Sequence, residues 1–154
     1  MNEIYHVEGI LNKGFVGQIT YMVCLENACS KLDIYFSFDE EKRVYQPEEA
    51  TPELIHETRE QSRQNYGLEI TEARARHVIL KDMKTEIHTL ATLNDEFIGC
   101  IHQQLADRHM LYDGEFASDG CIPQEKLDGV LKVTVLVFNV LKDGTHYRLT
   151  VSGE

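Results

Sequence analysis

Apolar and polar residues alternate over the last part of the chain in a way that is typical of β-strands. Residues 129–152 read GVLKVTVLVFNVLKDGTHYRLTVS, two apolar, β-branched runs on either side of Asp143-Gly144. An Asp-Gly pair between such runs predicts a hairpin with a type I′ turn, whose two central residues both have positive φ. We therefore expect one long C-terminal hairpin, central in the sheet.

This hairpin places an apolar set of side chains on one face. A two-residue turn pairs Lys142 with Thr145, Val140 with Tyr147, Phe138 with Leu149, and Leu136 with Val151. Phe138 and Leu149 are thus predicted to be buried partners. Earlier in the first strand the apolar set is Leu131, Val133 and Val135, which lies on the opposite face. Because a one-residue slip moves every side chain to the other face, we expect either a β-bulge near residues 135–137 or burial on both sides.

Three more strands are predicted before residue 40. They cover residues 4–11, 15–26 and 32–39, and the Asn12-Lys13-Gly14 turn connects the first two. In the second strand the core face is predicted to be that of Phe15, Gly17, Ile19, Tyr21, Val23 and Leu25. In the third strand, Leu32, Ile34, Phe36 and Phe38 alternate with polar residues. These strands predict an antiparallel meander with one buried face.

The middle of the chain has helical signals. Thr51-Pro52 is a typical helix start, and Gly67 is a typical stop, which predicts a helix ending at Tyr66. Its acidic surface suits solvent, although it could also serve as a docking face. Thr71 is predicted to cap a second, better buried helix. Residues 85–93 fit either a helix or a strand, and the following Asn94-Asp95 turn favours a strand that pairs with residues 96–102.

Together these elements predict an α+β fold with mainly antiparallel β-sheet. The sheet consists of a meander plus the long C-terminal hairpin, sandwich-like or half-barrel, with two helices inserted in the middle. The length of 154 residues suits a single globular domain, residues 1–154. Residues 103–128 are predicted to be irregular, with a short strand at residues 109–112 and turns at Asp113-Gly114 and Asp119-Gly120.

The charge balance excludes some partners. The formal net charge is −11, so the clustered basic residues that bind a nucleic-acid backbone or an anionic membrane are lacking. The N-terminal sequence has no basic segment followed by an apolar one, and no apolar run approaches the ~20 residues of a membrane span. We therefore expect a cytoplasmic protein with no nucleic-acid or membrane partner, and with its four cysteines reduced.

Residues 94–128 collect most of the side chains that could perform chemistry. Cys100 and His102 are two residues apart, so in a strand they share a face. With His109 and Cys121 they could supply the four ligands of a zinc ion, and Asp107 and Asp113 could contribute to ligand binding. The alternative is that the cysteines are small buried side chains and the histidines are surface residues. The short spacings that make a zinc motif specific are missing.

No nucleotide-binding or hydrolase motif is present. The expected function is therefore a small, acidic protein-binding or regulatory domain without catalytic activity, whose partner is another protein or a second copy. The alternative is a small-molecule- or metal-dependent enzyme with its site in the loops of residues 94–128. The sequence does not indicate a particular cofactor.

Overall fold

The fold is a pair of antiparallel β-sheets that face each other across a hydrophobic core. The computed structural model describes residues 1–103 and 105–154. Within these residues, sheet A has the strand order β1-β9-β3-β6-β7 and sheet B the order β2-β8-β4-β5. The strands are β1 (Asn2–Leu11), β2 (Gly17–Cys29), β3 (Lys31–Phe38), β4 (Glu86–Leu93), β5 (Glu96–Ile101), β6 (Asp107–Asp113), β7 (Phe116–Ala117), β8 (Leu127–Asn139) and β9 (Thr145–Gly153). The predicted α+β class with mainly antiparallel, sandwich-like sheets is confirmed.

Alternate residues of the central strands build the core. The buried set on β3 is the predicted one, namely Leu32, Ile34, Phe36 and Phe38. On β8 the buried set is Leu127, Leu131, Val133, Val135 and Val137. Both sets belong to one apolar cluster between the sheets. Burying each such side chain stabilises the fold by ~1.5–3 kcal/mol, so these two strands hold the sandwich together.

The predicted C-terminal hairpin is wrong, because β8 and β9 lie in different sheets. Asp143 does not have the positive φ that a type I′ turn needs, whereas Gly144 has a φ of 68°. The backbone just before this turn bonds to other elements. Leu141 N–H donates to Thr85 Oγ1 at 3.1 Å, and Leu141 C=O accepts from the Tyr45 hydroxyl at 2.8 Å. These bonds stabilise a crossing between the sheets in place of a hairpin.

The predicted pairing of Phe138 with Leu149 is therefore also wrong. Phe138 is 51% exposed, whereas Leu149 is buried between Val7 of β1 and Phe36 of β3. A bulge is present, but it lies slightly later than expected. Glu86 of β4 faces Asn139 and Ile87 faces Val137, which leaves Phe138 as the extra residue. The bulge shifts the alternation, so that Val140 is again buried.

The predicted meander of the first three strands is wrong as well. β1 and β3 both lie in sheet A, where β9 separates them, and β2 is the outermost strand of sheet B. The buried faces predicted for β2 and β3 are nevertheless correct, although Phe15, which was predicted to lie on the core face, is 40% exposed. On β2, for example, Val23 and Leu25 are buried and Met22 is exposed. Both sheets face the same core, so alternation identifies the buried face without identifying the neighbouring strand.

Two helices follow β3, as predicted. α1 (Pro52–Tyr66) begins after Thr51, whose Oγ1 accepts a hydrogen bond from the Leu54 N–H at 3.3 Å. It ends at Gly67, which has a left-handed φ of 65°. None of the helices in the described residues is long and apolar enough to cross a membrane.

The second helix and the strand after it also match the expectation. α2 (Glu72–His77) begins after Thr71 and continues into a π-helical turn at Val78–Asp82. Residues 85–93, which fitted either a helix or a strand, contain the strand β4, and this strand pairs with β5. Asn94 and Asp95 connect them with φ values of 51° and 67°. The pair of positive φ angles expected at Asp143-Gly144 is thus found at this turn instead.

Candidate ligand-binding cavity

A cavity of about 340 Å³ lies where the end of β5 in sheet B approaches the start of β6 in sheet A. Its polar walls come from three segments: the end of β5, the start of β6, and a loop after β7. The polar and ionisable residues that line it are Cys100, His102, Arg108, His109, Ser118 and Asp119, although the His109 ring lies on the outer face of sheet A, where it bonds to Asp33. The predicted irregular region therefore forms a site between the two sheets.

The loop after β7 is held against the free side of β5. Cys100 N–H donates to the Gly120 carbonyl at 2.9 Å, and Ile122 N–H donates to the Ile98 carbonyl at 2.8 Å. Gly120 has a φ of +82°, and a Cβ atom there would lie 2.6 Å from the Cys100 carbonyl oxygen. Only glycine fits this approach without a shift of the backbone. Gly120 thus allows the loop to close one wall of the cavity.

Arg108 is the most unusual residue of the cavity, because its side chain is almost completely buried. The residue is 4% exposed, and its guanidinium carbon lies 5.2 Å from the centre of the Phe36 ring. Arginine is rarely buried unless it has a partner of opposite charge. Burial lowers the pKa of Arg108 to about 10, which still leaves the side chain protonated at neutral pH.

The guanidinium donates its hydrogen bonds to backbone carbonyls. Nη1 donates to Ile87 at 2.6 Å and to Ile101 at 3.3 Å, and Nη2 donates to Leu105 at 2.7 Å. Nε has no partner among the described residues. None of these acceptors is a carboxylate, so the described residues leave the charge of Arg108 without a directly bonded counterion. Asp107 acts on this charge through space but makes no hydrogen bond to it, so Arg108 remains a positive group in the cavity wall.

The structure brings only part of the predicted metal and ligand site together. Cys100, His102 and His109 all line the cavity, whereas Cys121, Asp107 and Asp113 do not. Asp113 lies at the opposite end of β6 from Asp107, roughly 20 Å away along the strand. It makes an ion pair with Lys31 at 3.4 Å. These two carboxylates therefore cannot share one ligand.

Cys121 lies behind the cavity wall and not in it. Its Sγ accepts a hydrogen bond from the Ser118 hydroxyl at 3.6 Å, and its backbone forms an isolated β-bridge with Gly99. In the described part of the chain, no group of three or more His, Cys, Asp or Glu residues is arranged to hold a metal ion. The zinc site stays a prediction without geometric support in these residues.

Among the described residues, the Cys100 thiol has no hydrogen bond to a histidine that could act as its base. Burial raises the pKa of Cys100, and the nearby Cys121 adds to this effect, while Arg108 opposes it. Cys100 therefore remains a thiol at neutral pH, which is the weakly nucleophilic form. His109 instead bonds to Asp33, with Nδ1 3.0 Å from both carboxylate oxygens, and stacks on Tyr35.

Arg108 was not among the residues that the sequence analysis selected. A signal for it is nevertheless present in the alternation of β6. Arg108 has the same parity as Met110 and Tyr112, which are both buried, so the pattern directs Arg108 into the core. A charged residue in such a position is exceptional and marks a candidate site.

Comparison with known proteins gives a family but no function. No curated protein and no solved structure matches the chain. The model of one protein family matches residues 1–153, which is nearly the whole sequence. The chain therefore belongs to the family of unknown function DUF6669.

Proposed function

We propose that this protein is a non-catalytic regulatory domain that binds a small anionic molecule in the cavity between β5 and β6. The observation that carries the proposal is the buried, protonated side chain of Arg108, which has no directly bonded carboxylate among the described residues. In the same proposal the protein acts in the cytoplasm, since its four cysteines are free thiols that suit a reducing compartment.

Electrostatics favour an anion over a neutral ligand. The cation is partly shielded from water, so its attraction for a negative group is stronger than the same attraction at an exposed surface. His102 lines the same cavity and carries a ring N–H that can donate a hydrogen bond to a carboxylate or phosphate oxygen. The volume of about 340 Å³ lies at the lower end of the range for small-molecule sites, ~300–1,000 Å³. A metabolite with one or two carboxylates or a phosphate would fit.

Asp119 is the group that opposes anion binding, because it lines the same cavity with a negative charge. This residue provides a test of opposite sign. Removal of its charge should increase the affinity for anions, whereas removal of a hydrogen-bond donor such as His102 should reduce it. Variants of Asp119 and His102 are therefore expected to change anion affinity in opposite directions.

The experiment is a thermal-shift and NMR titration with inorganic phosphate, succinate and citrate, each compared with sodium chloride at equal ionic strength. A bound anion raises the melting temperature by mass action and shifts resonances around the cavity. We expect Asp119→Asn to strengthen anion binding by roughly threefold or more, and His102→Ala to weaken it. A tenfold change in the dissociation constant corresponds to ~1.4 kcal/mol.

Two matched controls make this test specific. Asp113→Asn removes a carboxylate from the far end of β6, and His56→Ala removes an exposed histidine from α1, so neither should change anion affinity. The proposal fails if no anion shifts the cavity resonances, or if the controls act like the cavity variants. A response to Zn²⁺ without any response to anions would also contradict it and would favour the predicted metal site.

A further inference from the structure

Each sheet ends in a free strand that belongs to the first part of the chain. β1 is the outer strand of sheet A, and β2, which follows it, is the outer strand of sheet B. In the described residues each of them pairs with one neighbour only, β9 and β8 respectively. An outer strand carries a row of unpaired backbone N–H and C=O groups that can accept another strand.

The edge formed by β1 has the features that discourage such pairing. It carries the charged residues Glu3 and Glu8, and Glu8 makes an ion pair with Arg148 at 3.1 Å. Its register also contains a bulge, because Glu3 faces Ser152 while Tyr5 faces Val151, which leaves Ile4 as the extra residue. Charged side chains and bulges are the usual means by which proteins protect a sheet edge.

The edge formed by β2 lacks these features over most of its length. From Gly17 to Leu25 it reads GQITYMVCL, without a charged residue or a proline. Its nine consecutive pairs with β8 are regular, and the first irregularity follows Leu25. Met22 points outwards and is 65% exposed. This is a long, regular edge without charged residues, in a protein with a net charge of −11.

We propose that β2 pairs antiparallel with β2 of a second copy of this chain, so that two four-stranded sheets join into one eight-stranded sheet. The pairing is two-fold symmetric, so the same strand supplies both halves of the interface. Residues of equal parity face each other in such a pair, which keeps the inner faces of both sheets on one side. The uncharged segment brings no like charges together at the contact.

A second copy fits this edge better than a peptide does. A disordered peptide loses ~1–2 kcal/mol of backbone entropy for each residue that it orders as a strand. The β2 strand of a second copy is already extended and held by β8, so this cost is small. The remaining charges of the two copies repel each other over longer distances. Salt screens this repulsion, and we expect the dimer to tighten as ionic strength rises.

The first test is sedimentation equilibrium of the full chain and of two variants with a lysine on an outer strand. Met22→Lys adds a charge to the proposed interface, whereas Ile10→Lys adds the same charge to β1, where Ile10 is 59% exposed. We expect a dimer for the unmodified chain and for Ile10→Lys, and at least tenfold weaker association for Met22→Lys at an unchanged melting temperature. A monomer at 100 μM, or equal association of both variants, would overturn the proposal.

The second test determines which residues of the two β2 strands face each other, and it does not require a variant that weakens the dimer. Single cysteines replace Gln18, Thr20 or Met22 on the outer face of β2, in a chain that also carries Cys24→Ser. Directly opposed residues of an antiparallel pair have Cα atoms ~4.5–5.5 Å apart, within the range of a disulfide. Mild oxidation should therefore crosslink one of these positions preferentially. A two-fold axis at Ile19 or Tyr21 would instead place two neighbouring outer positions opposite each other, so equal mixtures of the single-cysteine variants are oxidised as well. Equal crosslinking in all of these samples, or in none of them, would contradict the two-fold pairing, and neither result depends on whether the cavity binds an anion.

Discussion

The hydroxyl oxygens of Tyr21 and Tyr147 lie 2.5 Å apart and form a hydrogen bond between the two sheets. Tyr21 belongs to β2 of sheet B, and Tyr147 belongs to β9 of sheet A. Tyr147 is buried, whereas Tyr21 is only partly covered. Burial and this hydrogen bond both raise the pKa of Tyr21, so its hydroxyl is neutral at physiological pH. The pair is therefore a polar connection at the side of the sandwich where β1 and β2 are free.

The first prediction concerns the unequal burial of this pair. Tyr21→Phe leaves the buried hydroxyl of Tyr147 without its partner, which should cost about 1–3 kcal/mol of unfolding free energy. Tyr147→Phe leaves the hydroxyl of Tyr21, which is closer to solvent, so the cost should be smaller. The double variant should be nearly as stable as the unmodified protein. Urea denaturation of all four proteins measures the coupling, and strictly additive losses would show that the hydrogen bond contributes nothing.

The second prediction compares two apolar residues near the connection between β8 and β9. Leu149 is completely buried, so Leu149→Ala should lower the unfolding free energy by ~2–5 kcal/mol. Phe138 lies at the bulge and packs on the exposed side against His88, with ring centres 4.4 Å apart. Phe138→Ala should therefore cost well under half of that amount. Urea denaturation of both variants gives the two losses in unfolding free energy. A larger loss for Phe138→Ala than for Leu149→Ala would mean that the bulge is misplaced.

The third prediction concerns the pH dependence of Cys100. Because burial raises the pKa of its thiol above the ordinary value, the reactive thiolate should be scarce at neutral pH. Alkylation by iodoacetamide at pH 7.5 should thus be slow at Cys100 and faster at Cys24, which is exposed. Mass spectrometry of digested protein gives both rates from one sample. Preferential labelling of Cys100 at neutral pH would indicate an activated thiol and would contradict a non-catalytic cavity.

The sequence was informative about which side of each strand is buried, and less so about which strand lies beside it. The alternation of Leu32, Ile34 and Phe36 identified the inner face of β3 because a side chain responds to the core beneath it. The same alternation is compatible with a neighbour in either sheet. The Asp143-Gly144 signal for a hairpin is local, and the bonds of Leu141 to Thr85 and Tyr45 override it through residues distant in sequence.

The candidate site was predictable to a similar extent. Cys100 and His102 share a cavity wall because they are two residues apart at the end of one strand. Asp113 is separated from them because it lies at the far end of β6, and the length of that strand was underestimated. The burial of Arg108 depends on carbonyls from Ile87, Ile101 and Leu105, and this convergence follows only from the packing of the two sheets.

The position of β9 between β1 and β3 has a consequence for the synthesis of this protein. Sheet A places the strand of residues 145–153 between two strands from the first forty residues. The edges of β1 and β3 that pair with β9 thus have no shared neighbour until translation has supplied more than 100 further residues after Phe38. Closing such a long segment is entropically costly and makes folding slow. On the ribosome, the apolar residues of β1 and β3 should therefore stay exposed until β9 has been synthesised. We expect the nascent chain to depend on chaperones that bind extended apolar segments.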